Sequence, residues 1–206
     1  MFYYINIVLA FLMERYMRKL KLQVQISVDG FMAGPNGEMD FLVWDWDEQL
    51  ENYVTDLTNS IDTIILGRKL AEGFIPHWAA VAANPDDPQF SAGQKFTDTH
   101  KVVFTKTLEQ SPWANTVLAK SGLHEEVTKL KQQDGKDIIV YGGAEFVSGL
   151  IKQGLIDEYH LFINPTAIGT GLSLFNKITQ YQPLTLKKSM AFECGIVVNC
   201  YNPKVD

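Results

Sequence analysis

The sequence predicts an α/β domain: a mixed, mostly parallel central sheet with flanking helices and a C-terminal antiparallel hairpin. Three observations carry that expectation. Short apolar runs alternate with helix-period segments through the middle of the chain, the pattern of successive β–α–β units. The run Ile138-Ile139-Val140 passes through Tyr141-Gly142-Gly143 directly into an amphipathic stretch, Ala144 to Gln153. Near the end, Leu184 to Lys188 and Ala191 to Tyr201 follow one another with no helix between them. Two such strands close as a hairpin and add antiparallel pairing to the sheet.

The chain has 206 residues and 46% hydrophobic content, enough for one domain with a ligand-sized cleft. It shows no repeat, linker or internal boundary. Residues 1–16 are expected to be an N-terminal extension, and 17–206 the domain, with Met17 as the natural start. Phe2 to Met13 is apolar apart from Asn6, too short to span a bilayer, and it lacks a basic start and a small-residue cleavage site. No stable membrane association is expected.

Each element has its own signal. Leu22, Val24, Ile26 and Val28 alternate with Lys21, Gln23, Gln25 and Ser27, a period-2 strand over Leu20 to Val28 that stops at Asp29-Gly30. Gly34-Pro35-Asn36-Gly37 is a dense turn signal. Asp47 to Ser60 is helical by period, with Leu50, Tyr53, Val54 and Leu57 on one face. Thr63 to Leu66 is a short buried strand. Lys69 to Phe74 starts a helix that should break near Pro76, leaving 75–98 as a long polar loop. Strands follow at Lys101 to Thr105 and Thr116 to Leu118, then a polar helix from His124 to Gln132 and a strand from Lys136 to Tyr141. Tyr159 to Ile163 is the next strand, and Pro165 to Leu174 a second glycine-rich connection.

The net charge of −6 excludes an extended nucleic-acid surface, which would need clustered Lys and Arg. Cys194 and Cys200 both fall in the last expected strand, too far apart along it to bridge. No cysteine or histidine spacing suits a metal, so no metal site is expected. The thiols suit small hydrophobes in a reducing, cytoplasmic compartment.

The chemistry concentrates at strand ends. Parallel strands deliver their C-terminal ends to one edge, where ligands bind. Three ends here present Gly67-Arg68-Lys69, Thr105-Lys106 and Gly142-Gly143. Adjacent glycines let a ligand approach the backbone, and a helix start behind them offers unpaired N–H groups and partial positive charge. Arg68 can grip a phosphate through two parallel bonds, while a lysine acts as a point charge. Neither G-x-G-x-x-G nor G-x-x-x-x-G-K-[ST] is present, which excludes a standard Rossmann domain and a P-loop NTPase.

In that order, Ser27-Val28-Asp29-Gly30-Phe31-Met32-Ala33, Thr63 to Lys69, Val102 to Lys106, Tyr141-Gly142-Gly143 and Gly154 to Glu158 with Pro165, Gly169 and Gly171 resemble the dihydrofolate reductase superfamily. The closest likeness is to the branch of the C-terminal reductase domain of bacterial riboflavin biosynthesis, over roughly residues 18 to 200. The resemblance implies a dihydrofolate reductase-like three-layer fold and NADPH as cofactor. Gly67, Arg68 and Lys69 would face its phosphates, with Thr105 and Lys106 near the 2′-phosphate. Gly142 and Gly143 would flank the pyrophosphate, and the N–H groups of Gly143, Ala144, Glu145 and Phe146 would seat it. A cis Gly142–Gly143 peptide and a homodimer through the late strands are also implied.

On the acceptor side the likeness weakens, because riboflavin-type reductases carry a glutamate where this chain has Tyr141. Asp40 and Glu51 are the candidate proton donors, with Glu48 as a further one, and Trp44 and Tyr141 are the candidate substrate contacts. Four histidines form no spaced cluster, and Asp29 suits a structural turn. The expected activity is NADPH-dependent reduction of a small heterocyclic or carbonyl compound, resembling 5-amino-6-(5-phosphoribosylamino)uracil reductase. Dihydrofolate or pterin reduction is the alternative among enzymes. An NADP(H)-binding sensor without turnover is the alternative of another class.

Overall fold

The computed structural model describes residues 17–204; the expected extension at 1–16 lies outside them. Its elements run β1 (Leu20–Ser27), β2 (Phe31–Ala33), α1 (Glu48–Asn59), β3 (Ile61–Gly67), α2 (Arg68–Ala82), α3 (Phe90–Asp98), β4 (His100–Phe104), β5 (Thr116–Ala119), α4 (Leu123–Lys131), β6 (Asp137–Val140), α5 (Ala144–Lys152), β7 (Glu158–Asn164), β8 (Leu172–Ser173), β9 (Leu184–Ala191) and β10 (Val197–Pro203). Eight strands make one sheet in the order β5-β4-β3-β6-β1-β7-β10-β9, and β2 pairs with β8 separately. From β5 to β7 the pairing is parallel. The closing hairpin adds β10 and β9 antiparallel.

Helices cover both faces. On one, Val127 and Leu130 of α4 and Val147, Leu150 and Ile151 of α5 pack on Leu20, Leu22, Ile138 and Val140. On the other, Ala71 and Ile75 of α2 and Phe96 of α3 pack on Ile64, Leu66, Val103 and Ile139. Leu50 of α1 packs there too, against Phe162 and Val198. Asp47 caps α1 by accepting the Leu50 N–H at 3.0 Å.

Two expectations about elements are corrected. Residues 75–98 are not a loop, because α2 continues through Pro76 to Ala82 and α3 occupies Phe90–Asp98. The Pro76 ring faces solvent, so the helix loses one hydrogen bond while Ile75, Trp78 and Val81 keep it seated. Cys194 is not in the last strand; it lies in the turn before β10, and its N–H donates to Asp47 at 3.1 Å. Both cysteines are free thiols.

Candidate functional site

β3 and β6 are neighbours, yet β3 feeds α2 on one face and β6 feeds α5 on the other. β1, on the far side of β6, again leads to the α1–α2 face. Connections that part to opposite faces leave a crevice at the C-terminal edge. Two such crevices therefore flank Gly142-Gly143, one toward β3 and β4, the other toward β1 and β7.

The first crevice gathers the three expected strand ends. Gly67 pairs with Phe104 in register, and Ile65 with both Val102 and Val140. Gly67 begins α2 and Gly143 begins α5, each without a side-chain cap. The diglycine bond is trans, since there is no cis peptide among the described residues, which corrects the expectation of a cis bond. The chain turns instead through Gly143, at φ 80° and ψ 91°, a conformation open to glycine and strained for other residues. Phe146 packs into the space between the strand ends, its ring 5.0 Å from that of Phe104. A Cβ on Gly67 would lie 3.1 Å from the Cβ of Phe146, so glycine is what lets α5 start this close to β3.

Phe146 therefore fills the space between the ends of β3 and β4. Its N–H is spent on the Gly143 carbonyl at 2.9 Å, which corrects its expected role as an anion donor. Among the described residues the N–H groups of Gly143, Ala144 and Glu145 have no such partner. Lys177 reaches this helix start and pairs with the Glu145 side chain and, at 3.1 Å, its carbonyl. Sequence reasoning missed it, because no motif links a lysine thirty-two residues downstream to this turn.

The expected cations are present but differently engaged. Arg68 pairs with Glu72 one turn along α2, at 2.5 Å. Lys69 and Lys106 are exposed. Thr105 is buried, and its hydroxyl oxygen accepts the N–H groups of Thr107 and Leu108 at 3.1 Å each. It shapes the turn after β4 and retains only its own proton to offer a ligand.

On the β1–β7 side an open cavity of about 260 Å³ is lined by Gly34, Pro35, Glu38, Asp40, Phe41, Ile168 and Thr170. Its lining begins just after β2, and Met32 of that strand approaches the diglycine: a Cβ on Gly142 would lie 3.9 Å from the Met32 methyl. The loop that carries Asp40 is held by Asn164 at the end of β7, whose side-chain oxygen accepts the Val43 N–H at 2.8 Å. Asp40 is exposed at the cavity wall. Glu51 and Glu48 are exposed on α1, and neither lines the cavity. Trp44 is 67% exposed and does not line this cavity.

Tyr141 turns away from both crevices. Its ring stacks on Phe74 at 5.6 Å and meets Phe96 edge-on, under α2 and α3. Its hydroxyl is buried without a hydrogen-bond partner, and burial pushes its pKa up. The expected substrate contact at Tyr141 is thus replaced by packing.

A model of the RibD C-terminal domain matches residues 18–198. The chain belongs to that family. Among its relatives, the uncharacterized protein YyaP of Bacillus subtilis is 33% identical over 187 residues, covering 90% of this chain and 95% of the relative. The riboflavin biosynthesis protein RibD of Corynebacterium ammoniagenes is 26% identical over 154 residues, 72% of this chain and 43% of that protein. Two solved structures share the fold. A putative riboflavin biosynthesis protein from Shewanella sp. PV-4 has a TM-score of 0.67 at 19% identity, covering 91% of this chain and 99% of its own. A diaminohydroxyphosphoribosylaminopyrimidine deaminase/5-amino-6-(5-phosphoribosylamino)uracil reductase from Thermotoga maritima has a TM-score of 0.66 at 16% identity, covering 93% and 58%. The RibD-type domain here thus has the dihydrofolate reductase-like three-layer architecture expected from its motifs.

Proposed function

We propose that this RibD-type domain is an NADPH-dependent reductase of a small heterocyclic or carbonyl compound. One observation carries the reading: two helices, α2 and α5, start from glycines on adjacent strands with no side-chain cap and diverge to opposite faces. Uncapped helix starts side by side favour an anion with more than one phosphate.

The residues fit the cofactor that the family implies. The N–H groups of Gly143, Ala144 and Glu145 would hold the pyrophosphate. Arg68, Lys69 and Lys106 would hold the remaining phosphate charge, with the Thr105 hydroxyl as a further donor. When bound, NADPH supplies the hydride. The cavity after β2 would hold the acceptor; of the two acids in its lining, Glu38 is tied to Asn36, which leaves Asp40 as the proton donor. Tyr141, where riboflavin-type reductases carry a glutamate, offers the acceptor no carboxylate, which favours a compound other than the phosphoribosylaminouracil. Among the described residues no helix is long and apolar enough to cross a membrane, in keeping with action in the cytoplasm. The exposed edge strand β9, with Leu186 53% exposed, supports a homodimer formed there.

The test is titration of the protein with NADPH, followed by NADPH oxidation over pterins, aminouracils and nitro- or carbonyl compounds. Binding with turnover of one class supports the reductase. Tight binding with no turnover establishes the sensor, and no binding at all removes both.

A further inference from the structure

Away from the cofactor edge, a row of side chains crosses four strands in register: Gln23 of β1, His160 of β7, Cys200 of β10 and Lys188 of β9. Leu22, Val24, Tyr159 and Leu161 occupy the α4–α5 face, so by strand alternation Gln23 and His160 lie on the other. Glu158, two residues before His160, joins them there. The oxygen, nitrogen and sulfur donors of Glu158, His160 and Cys200 all lie within 4.8 Å of one another. His160 is 5% exposed and Cys200 9%.

We propose that Glu158, His160, Cys200 and Gln23 form a closed binding site for a divalent transition metal of zinc type. Three features support it. The donor set is mixed imidazole, thiolate and carboxylate, which suits zinc and excludes magnesium or calcium, whose sites are built of oxygen. His160 is already oriented for it: the Tyr53 hydroxyl holds Nδ1 at 2.5 Å, leaving Nε2 turned to the cluster. Such an outer partner fixes the ring tautomer at metal sites. Independently, Gln23 is 7% exposed, and its side-chain carbonyl oxygen is buried without a hydrogen-bond partner. A buried acceptor left unpaired costs free energy unless a cation or donor meets it.

Metal–ligand bonds of roughly 2.0–2.3 Å set donors about 3.3–3.8 Å apart around a tetrahedral ion. Cys200 must therefore move inward, and the 2.7 Å contact between Glu158 and His160 must open. Binding displaces the Cys200 thiol proton to solvent, and the proton between His160 Nε2 and Glu158 is exchanged for one on Nδ1, where the Tyr53 hydroxyl oxygen accepts it, so the carboxylate and thiolate neutralise the ion. Lys19 pairs with the second Glu158 oxygen at 3.5 Å and must yield it or share it with the ion, whereas Lys21 is committed to Asp137 and Ser60 and Lys188 sits over the Tyr53 ring at 5.8 Å. Sequence spacing conceals the site, because its ligands come from strands brought together only by the sheet.

The competing arrangement is a self-contained Tyr53–His160–Glu158 hydrogen-bonded chain with a bystander thiol. Full-length protein, stripped with chelator, would be titrated with zinc chloride and separately with cobalt(II). The expected results are one ion per chain, a thiolate-to-cobalt charge-transfer band with the intense visible bands of tetrahedral cobalt, and a raised melting temperature. Cys200→Ser should remove the charge-transfer band, and His160→Gln should weaken zinc at least tenfold. Sub-stoichiometric zinc, or a weak octahedral cobalt spectrum in the wild type, would overturn the site whether or not the variants fold. So would folded variants that bind zinc as the wild type does.

Discussion

The Asp29 carboxylate accepts the Gly169 N–H at 2.7 Å, so a residue just after the first strand holds a loop 140 residues further along the chain. It also accepts the Ile168 N–H at 3.2 Å and the Ser27 hydroxyl at 2.6 Å. Ile168 and Thr170 of that loop line the cavity beside Asp40. Asp29 therefore acts in the fold by fixing one wall of that cavity. The structural role expected from its turn position holds, and long-range bonds from Ile168 and Gly169 add to the local one from Ser27.

Those hydrogen bonds, the one from Ser27 first and then that from Gly169, hold the Asp29 carboxyl below its ordinary pKa of 3.8. The native state thus takes up a proton less readily than the unfolded chain. The stabilisation is fully present above pH 3.8 and is lost as pH falls through the depressed native value. Asp29→Asn should melt at a lower temperature than wild type near neutrality. The gap should narrow below pH 3.8; a gap unchanged in strong acid would mean that the charge is immaterial.

Arg68 and Glu72 form an exposed pair of the kind that contributes about 0.3–0.5 kcal/mol. A phosphate outcompetes so weak a partner. Arg68→Ala should weaken NADPH about tenfold, the loss of one charge-assisted hydrogen bond near solvent, and NADH less. Glu72→Ala, which releases the guanidinium, should leave NADPH affinity equal or higher. Equal losses for the two coenzymes in Arg68→Ala would show that it reads no phosphate peculiar to NADPH.

The two glycines of the diglycine separate folding from binding. Gly143 holds φ 80°, so Gly143→Ala should cost about 1–2 kcal/mol of stability through backbone strain, and Gly143→Val more. Gly142 does not share that conformation, and a Cβ there would meet Leu70 at an ordinary 3.6 Å. Gly142→Ala should therefore fold normally yet bind NADPH at least tenfold more weakly, because the methyl stands where the ligand meets the backbone. Normal binding by Gly142→Ala would place the nucleotide elsewhere.

The strand ends were legible because their signals are local. Gly67 and Gly142-Gly143 punctuate apolar runs, and the alternation from Leu22 to Ile26 names the buried face of β1 by itself. The stretch 75–98 misled because Pro76 reads as a stop, whereas its neighbours Ile75, Trp78 and Val81 bury enough surface to carry the helix past it. Of the cavity that Asp40 lines, little was legible. Its walls are set by Asp29 on Gly169 and Asn164 on Val43, contacts 140 and 121 residues apart, which no window of sequence contains.

Tyr141 offers the sharpest separation between packing and substrate contact. A buried hydroxyl without a partner costs roughly 1–3 kcal/mol, so Tyr141→Phe should raise stability by about 1 kcal/mol while the stack on Phe74 is kept. Its NADPH turnover should equal that of wild type, since the ring faces Phe74 and Phe96 rather than either crevice. Tyr141→Glu, which introduces the residue of the riboflavin-type reductases, should instead destabilise by about 3 kcal/mol or more by placing a carboxylate among aromatic rings. Thermal melts of the three proteins with turnover assays decide the matter. A Tyr141→Phe protein that is less stable, or that loses acceptor affinity, would show that the hydroxyl serves the substrate after all.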